Sequence, residues 1–260
     1  MIDVCGLRKV YDDHLAVDGL SFSLAPGQVC GLVGPNGAGK TTTLRSLAGL
    51  LRPTAGQLTI AGCDPQQDEI ELKRRVAYVP DDPPLFDDLS VQGHLELIGR
   101  LYRVENYHEK AADLLAQFDL LPKAHAGTTT LSRGMRQKLA VCCVYMFNPQ
   151  VLLLDEPLTG LDPPGIRTLL DSVRILAQSG TTVVISSHLL AMIEDVCSHL
   201  LVMQDGRAQY FGAAADLRER YSQANSLEEA FFAATEDAES TGAIIPNSDL
   251  TSSSVVGATL

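Results

Sequence analysis

Gly34-Pro35-Asn36-Gly37-Ala38-Gly39-Lys40-Thr41 fits G-x-x-x-x-G-K-[ST] and stands between an apolar run, Val29 to Val33, and a helix-like stretch from about Lys40 to Ala48. No other segment constrains the fold as tightly. The glycines let the backbone curl until several N–H groups point inward, and the helix starting at Lys40 adds its positive end. A loop of that kind needs a strand to enter it and a helix to leave it, so the motif predicts an α/β unit with a phosphate in the cradle. Lys40 places a cation on terminal phosphates, the Thr41 hydroxyl suits Mg²⁺, and Thr42 continues the loop.

The rest of the chain supports an α/β class. Short apolar runs alternate with longer helix-like segments as far as about Gly212. Gln57 to Ile60, Val76 to Val79, Val151 to Leu154 and Thr181 to Ser186 are expected strands. Pro163 to Gln178 is an expected helix with Pro near its first turn and Gly180 as its stop, and Asp205-Gly206 is a hairpin turn. Between Ser90 and about Phe118 apolar residues recur at three and four (Leu95, Ile98, Leu101; Leu114, Leu115, Phe118), and a further helix is expected from Ser132 to about Phe147. Residues 1–235 therefore read as one domain, with a core of about 1–89 and 149–235 and a helical insertion of about 90–148. After Thr235 the composition turns to Glu, Asp, Ser, Thr, Gly and Asn, which predicts a disordered tail over 236–260.

Val151-Leu152-Leu153-Leu154-Asp155-Glu156 brings two carboxylates to the carboxyl end of a buried strand, where open α/β sheets hold ligands. Asp155 is suited to hold Mg²⁺ through water, and Glu156 to orient or deprotonate an attacking water. The balance of 20 Lys+Arg against 32 Asp+Glu, a net −12, disfavours a nucleic-acid partner, since phosphate backbones are bound by cation clusters. The six cysteines form no C-x-x-C pair and are expected as reduced core residues. No run approaches the ~20 apolar residues of a membrane span, and the start lacks a basic-then-apolar leader, so a cytosolic chain is expected.

Leu131-Ser132-Arg133-Gly134-Met135-Arg136-Gln137, about twenty residues before Asp155, resembles the signature segment of ABC-transporter ATPases. In that family the usual form is L-S-G-G-Q, and it closes on the nucleotide held by a partner subunit. Ser132 and the Gly134 amide, at a helix N-terminus, suit a γ-phosphate. Other parts of the resemblance follow in order. Tyr11 stands where the family stacks an aromatic on adenine, Thr159-Gly160-Leu161-Asp162 resembles the D-loop with Asp162 at the dimer seam, and His188 in Ile185-Ser186-Ser187-His188 matches the γ-phosphate histidine. The resemblance spans about residues 2 to 235.

What it implies is a P-loop NTPase of the ABC type, with a mixed-sheet core, an N-terminal antiparallel part and an inserted helical subdomain. Two ATP molecules with Mg²⁺ would be clamped between two such chains, identical or related, and hydrolysis would drive a separate transmembrane permease from the cytoplasmic face of the membrane. The sequence departs from the family where Asp81, in Tyr78-Val79-Pro80-Asp81, replaces the usual Gln; its carboxylate is expected to take over the contact with Mg²⁺. Arg133 and Met135 replace Gly and Gln; Arg133 either adds charge to the phosphate or points to solvent, the second being the expectation, and Met135 is expected to pack. Arg-Gly-Met, Pro-Asp and the Ser226 to Phe232 segment resemble ATPases paired with ABC-2 type permeases, which implies export. The alternatives are a non-transport ATPase of the same superfamily and a regulatory module that clamps ATP without turnover. Intact Glu156 speaks against the second.

Overall fold

The computed structural model describes residues 1–188 and 190–220; the Ser226–Phe232 segment and the expected tail over 236–260 lie outside the described residues. The chain begins with a hairpin of β1 (Ile2–Tyr11) and β2 (His14–Leu24), then β3 (Val29–Val33), α1 (Lys40–Leu47) and β4 (Ala55–Ile60). Next come α2 (Glu69–Arg75), β5 (Val76–Val79), α3 (Val91–Leu101), α4 (Tyr107–Gln117) and α5 (Arg133–Tyr145). The chain returns through β6 (Val151–Leu154), α6 (Pro163–Gln178), β7 (Thr182–Ser187), α7 (Leu190–Ile193), β8 (His199–Gln204), β9 (Arg207–Ala213) and α8 (Ala214–Arg220).

Two sheets form. One is antiparallel, in the order β2-β1-β4; the other runs β5-β6-β7-β3-β8-β9 and is parallel except for β9. The uniformly apolar runs β3 and β6 are buried at every position because both faces of the second sheet are covered. Alternate residues of β6 show this directly. Leu152 and Leu154 join a core with α3 to α6, while Val151 and Leu153 join a core with the antiparallel sheet and α1.

Two regions were not individually legible. β1 and β2 have one face buried and the other partly exposed, so polar residues interrupt every apolar run, as at Asp3 and Lys9. α2 buries only Leu72 and is supported on its surface by Glu69–Lys73 and Glu71–Arg74 pairs, so it carries almost no apolar stripe. Within α3 the expected apolar face ends early: Leu101 is 68% exposed, and the next residue, Tyr102, packs instead, its ring stacked on Phe147 at 4.0 Å. Of the expected core cysteines, Cys5 is exposed, on an outward position of β1, and Cys143 is only partly covered; all six are free thiols.

The strand order decides where chemistry collects. β5, β6, β7 and β3 are neighbours and run in the same direction, so the residues following each of them emerge along one edge. Those residues are Asp81, Asp155 with Glu156, His188, and the Gly34–Thr41 loop. Segments far apart in sequence become neighbours by sheet pairing alone, at the carboxyl edge where open α/β sheets bind ligands.

Candidate active site

The Gly34–Thr41 loop is pressed between elements. A Cβ at Gly34 would fall 2.1 Å from the Met203 carbonyl oxygen at the end of β8, and the Gly206 amide of the β8–β9 hairpin donates to Ala38 O at 3.2 Å. Gly39 caps α1 with φ 98°, a conformation that a side chain would strain. The Lys40 ammonium is 6% exposed and folds back over the loop, donating to Gly34 O at 2.7 Å and Pro35 O at 3.2 Å. A cation held by two loop carbonyls at the wall of a cavity is placed for anionic oxygens.

The loop forms one wall of a cavity of about 390 Å³, which also brings together Tyr11, Asp81, Asp155 and Glu156. Asn36 to Thr42 line it without a break. Tyr11 is 40% exposed with Lys9 Nζ 5.0 Å from its ring centroid.

Asp155 is 2% exposed and accepts from three hydroxyls: Thr41 Oγ1 at 3.2 Å and Ser186 Oγ at 2.8 Å on one oxygen, Tyr78 OH at 3.1 Å on the other. Burial, and then Asp155 itself, push the Tyr78 phenol up to about 12, so it remains a donor throughout the physiological range. Sequence patterning assigns no role to Tyr78 or Ser186, although both stand inside Tyr78-Val79-Pro80-Asp81 and Ile185-Ser186-Ser187-His188. A signal existed in Ser186 and Ser187, two polar residues ending a fully buried strand.

Thr41 and Asp155 suit a hard cation: a hydroxyl and a carboxylate oxygen lie 3.2 Å apart at the cavity wall. Among the described residues no cluster of three or more His, Cys, Asp or Glu could hold a metal. Thr41 and Asp155 are the residues here that would hold such a cation, with phosphate oxygens and water free to complete its shell.

Glu156 follows with φ 48°, a left-handed backbone that costs a non-glycine residue about 1 kcal/mol or more. Its amide donates to Ser186 Oγ at 2.9 Å, which fixes the turn. One carboxylate oxygen lies 3.6 Å from Lys40 Nζ and the other 2.8 Å from His188 Nδ1. His188 thus meets the cavity through Glu156.

The signature segment lies away from this cavity, on the surface. Ser132 caps α5, accepting from the Met135 amide at 3.3 Å, and Met135 packs on the larger core. Gly134 approaches the D-loop so closely that a Cβ would lie 2.5 Å from Gly160 O. Asp162 precedes α6 with its side chain 62% exposed, 3.6 Å from Lys138 Nζ. Arg133 is exposed, and its Nη2 in addition donates to Asp81 Oδ1 at 2.7 Å, a contact not foreseen from the sequence, because α5 starts beside the loop that follows β5.

A cavity with a phosphate cradle, a cation-ready hydroxyl–carboxylate pair and a second carboxylate beside an imidazole makes the chain a nucleoside-triphosphate hydrolase of the P-loop class. A family model described as ABC transporter matches residues 17–159, and the chain belongs to that family. It is 37% identical over 209 residues to Nod factor export ATP-binding protein I of Cupriavidus metallidurans, covering 80% of this chain and 69% of that one. Daunorubicin resistance ATP-binding protein DrrA3 of Streptomyces coeruleorubidus is 37% identical over 219 residues (84% and 69%), and EcsA of Bacillus subtilis, an ABC-type transporter ATP-binding protein, 31% over 223 (85% and 90%). A solved ATP-binding subunit of an ABC transporter superposes with a TM-score of 0.85 at 28% identity, covering 90% of this chain and 99% of that one.

Proposed function

We propose that this chain is the ATP-hydrolysing subunit of an ABC exporter, closing with a second copy or a related chain around two ATP molecules to drive a separate permease. The observation that carries it is Glu156, held between Lys40 at 3.6 Å and His188 at 2.8 Å at the mouth of the phosphate cavity. Export follows the relatives, two of which are described as an export and a drug-resistance protein.

The loop amides and Lys40 bind the phosphates, and Tyr11 receives the base. Thr41 and Asp155 would hold Mg²⁺, which when bound draws charge from the phosphate oxygens. Glu156 accepts a proton from the attacking water, and its fixed backbone keeps the carboxylate aimed. His188 orients Glu156 and meets the γ-phosphate. Ser132, exposed at the start of α5, and the half-buried Gly134 are presented to the nucleotide of the other subunit, with Asp162 at the seam.

The permease contact falls on the helical insertion. Pro80, Pro83, Phe86, Leu97 and Tyr102 line an apolar groove of about 410 Å³ beside the Asp81 loop, and Phe86 is 61% exposed. Among the described residues no helix is long and apolar enough to cross a membrane, so the span belongs to another segment or chain.

Light scattering of Glu156→Gln with ATP, beside hydrolysis by the unaltered chain, tests this function. A dimer trapped in the variant together with turnover in the parent supports it. Turnover that survives the substitution would remove Glu156 as base.

A further inference from the structure

The phosphate cavity has an unusual charge balance. Three carboxylates, Asp81, Asp155 and Glu156, line it, and Lys40 is the one lysine or arginine among the described lining residues. A triphosphate entering this space meets more negative than positive charge. Asp155 is satisfied by hydroxyls and Glu156 by Lys40 and His188, but Asp81 takes its cation from elsewhere: Arg133, the third residue of the signature segment, at 2.7 Å.

Arg133 also touches a third loop. A Cβ on Gly160 would lie 3.2 to 3.3 Å from the Arg133 Cδ and Cγ atoms, so the stem of the side chain lies over the D-loop turn while its head reaches the Asp81 loop. One turn along α5, Arg136 Nη2 donates to Pro83 O at 3.4 Å and lies 4.0 Å from Asp82 Oδ1. Two arginines on one helix face thus hold residues 81 to 83.

We propose that Arg133 is a positioning residue that acts through Asp81: it neutralises the cavity's third carboxylate and ties the Asp81 loop, the signature segment and the D-loop into one unit. The proposal rests on the two-ATP dimer given above. In that dimer Asp81 faces its own chain's nucleotide, whereas Ser132 and Gly134 face the partner's. A change at one nucleotide then moves the Asp81 loop, and the Arg133 pair carries that movement through the start of α5 to the other. Glycine and glutamine, the residues the family usually has here, form no ion pair, so this link belongs to chains that carry Arg and Asp together.

Both side chains are about half exposed, and exposed ion pairs contribute little to stability. The effect therefore lies in loop position and in communication between sites, not in folding. The decisive set is the full chain with Asp81→Asn, Arg133→Gln, both together, and the exchanged pair Asp81→Arg with Arg133→Asp.

Two readouts are needed. Amide hydrogen exchange over residues 81–86, read at Asp81, Asp82, Leu85 and Phe86 because Pro83 and Pro84 carry no N–H, requires no activity in the nucleotide-free subunit. It should rise about threefold or more in either single variant, rise no further in the double, and return towards the parent in the exchanged pair. Steady-state hydrolysis against ATP concentration should show the Hill coefficient falling towards 1 and kcat falling severalfold in the single variants. The KM stays within about twofold, and the double variant is no worse than the poorer single. Exchange of 81–86 that does not change, or effects that simply multiply in the double variant, would overturn the proposal. A parent chain that neither dimerises nor hydrolyses ATP counts against the proposed function instead, and the exchange measurement then still decides the Arg133 contact.

Discussion

The imidazole Nδ1 of His188 lies 2.8 Å from Oε2 of Glu156, across 32 residues of sequence. A carboxylate only accepts, so Nδ1 carries the proton and the ring is oriented by the same carboxylate that we propose as the base. Lys40 balances the other oxygen at 3.6 Å. The three form a short chain from the phosphate loop to the end of β7.

Removing the ring leaves Glu156 free to rotate towards Lys40. His188→Ala is expected to lower kcat by roughly 100-fold while ATP affinity changes by less than about threefold, because the contact serves the reaction rather than binding. Steady-state kinetics beside equilibrium binding of a fluorescent ATP analogue checks this; equal losses in both would place His188 among the binding groups.

Asp155 depends on its hydroxyl donors. Tyr78→Phe removes the only bond described to Oδ2 and should raise the Mg²⁺ concentration for half-maximal turnover about tenfold, the equivalent of one hydrogen bond to a charged group. Ser186→Ala should do at least as much, since Ser186 also receives the Glu156 amide. Titration of hydrolysis with Mg²⁺ at saturating ATP separates this from loss of nucleotide affinity.

Gln137, on α5 a turn beyond Arg133, is 1% exposed, and neither its amide nitrogen nor its carbonyl oxygen has a hydrogen-bond partner among the described residues. Unpaired buried polar atoms are costly. Gln137→Met, similar in shape, is expected to raise unfolding stability by about 1 kcal/mol in urea titrations. A loss of stability would show that the amide acquires partners in solution.

The thiols differ in reach. Cys5 is exposed, whereas burial pushes Cys143 and Cys197 up to about 12 and raises Cys30 and Cys142 as well. Thiolates react and thiols do not. Brief iodoacetamide treatment at pH 8 should label the folded chain once, at Cys5, and the denatured chain six times; mass spectrometry counts the additions.

The local chemistry of the chain determined its local structures. A glycine loop can only cradle phosphate where a strand meets a helix, an unbroken apolar run such as Val151 to Leu154 only fits a sheet covered on both faces, and Ser132 caps the helix it precedes. These interactions span a few residues, so residue type and spacing specify them. Strands with one buried face, such as β1, and a surface-paired helix such as α2 carry weaker patterns and were not individually legible. What only the tertiary structure decided is which distant groups meet. The order β5-β6-β7-β3 brings Tyr78 and Ser186 to Asp155, and it sets His188 beside Glu156. The start of α5 beside the β5 loop makes the exposed Arg133 the partner of Asp81. Sequence patterning fixes which face of an element is buried; pairing of strands and packing of helices fix what lies opposite it, and a carboxylate's role depends on what lies opposite.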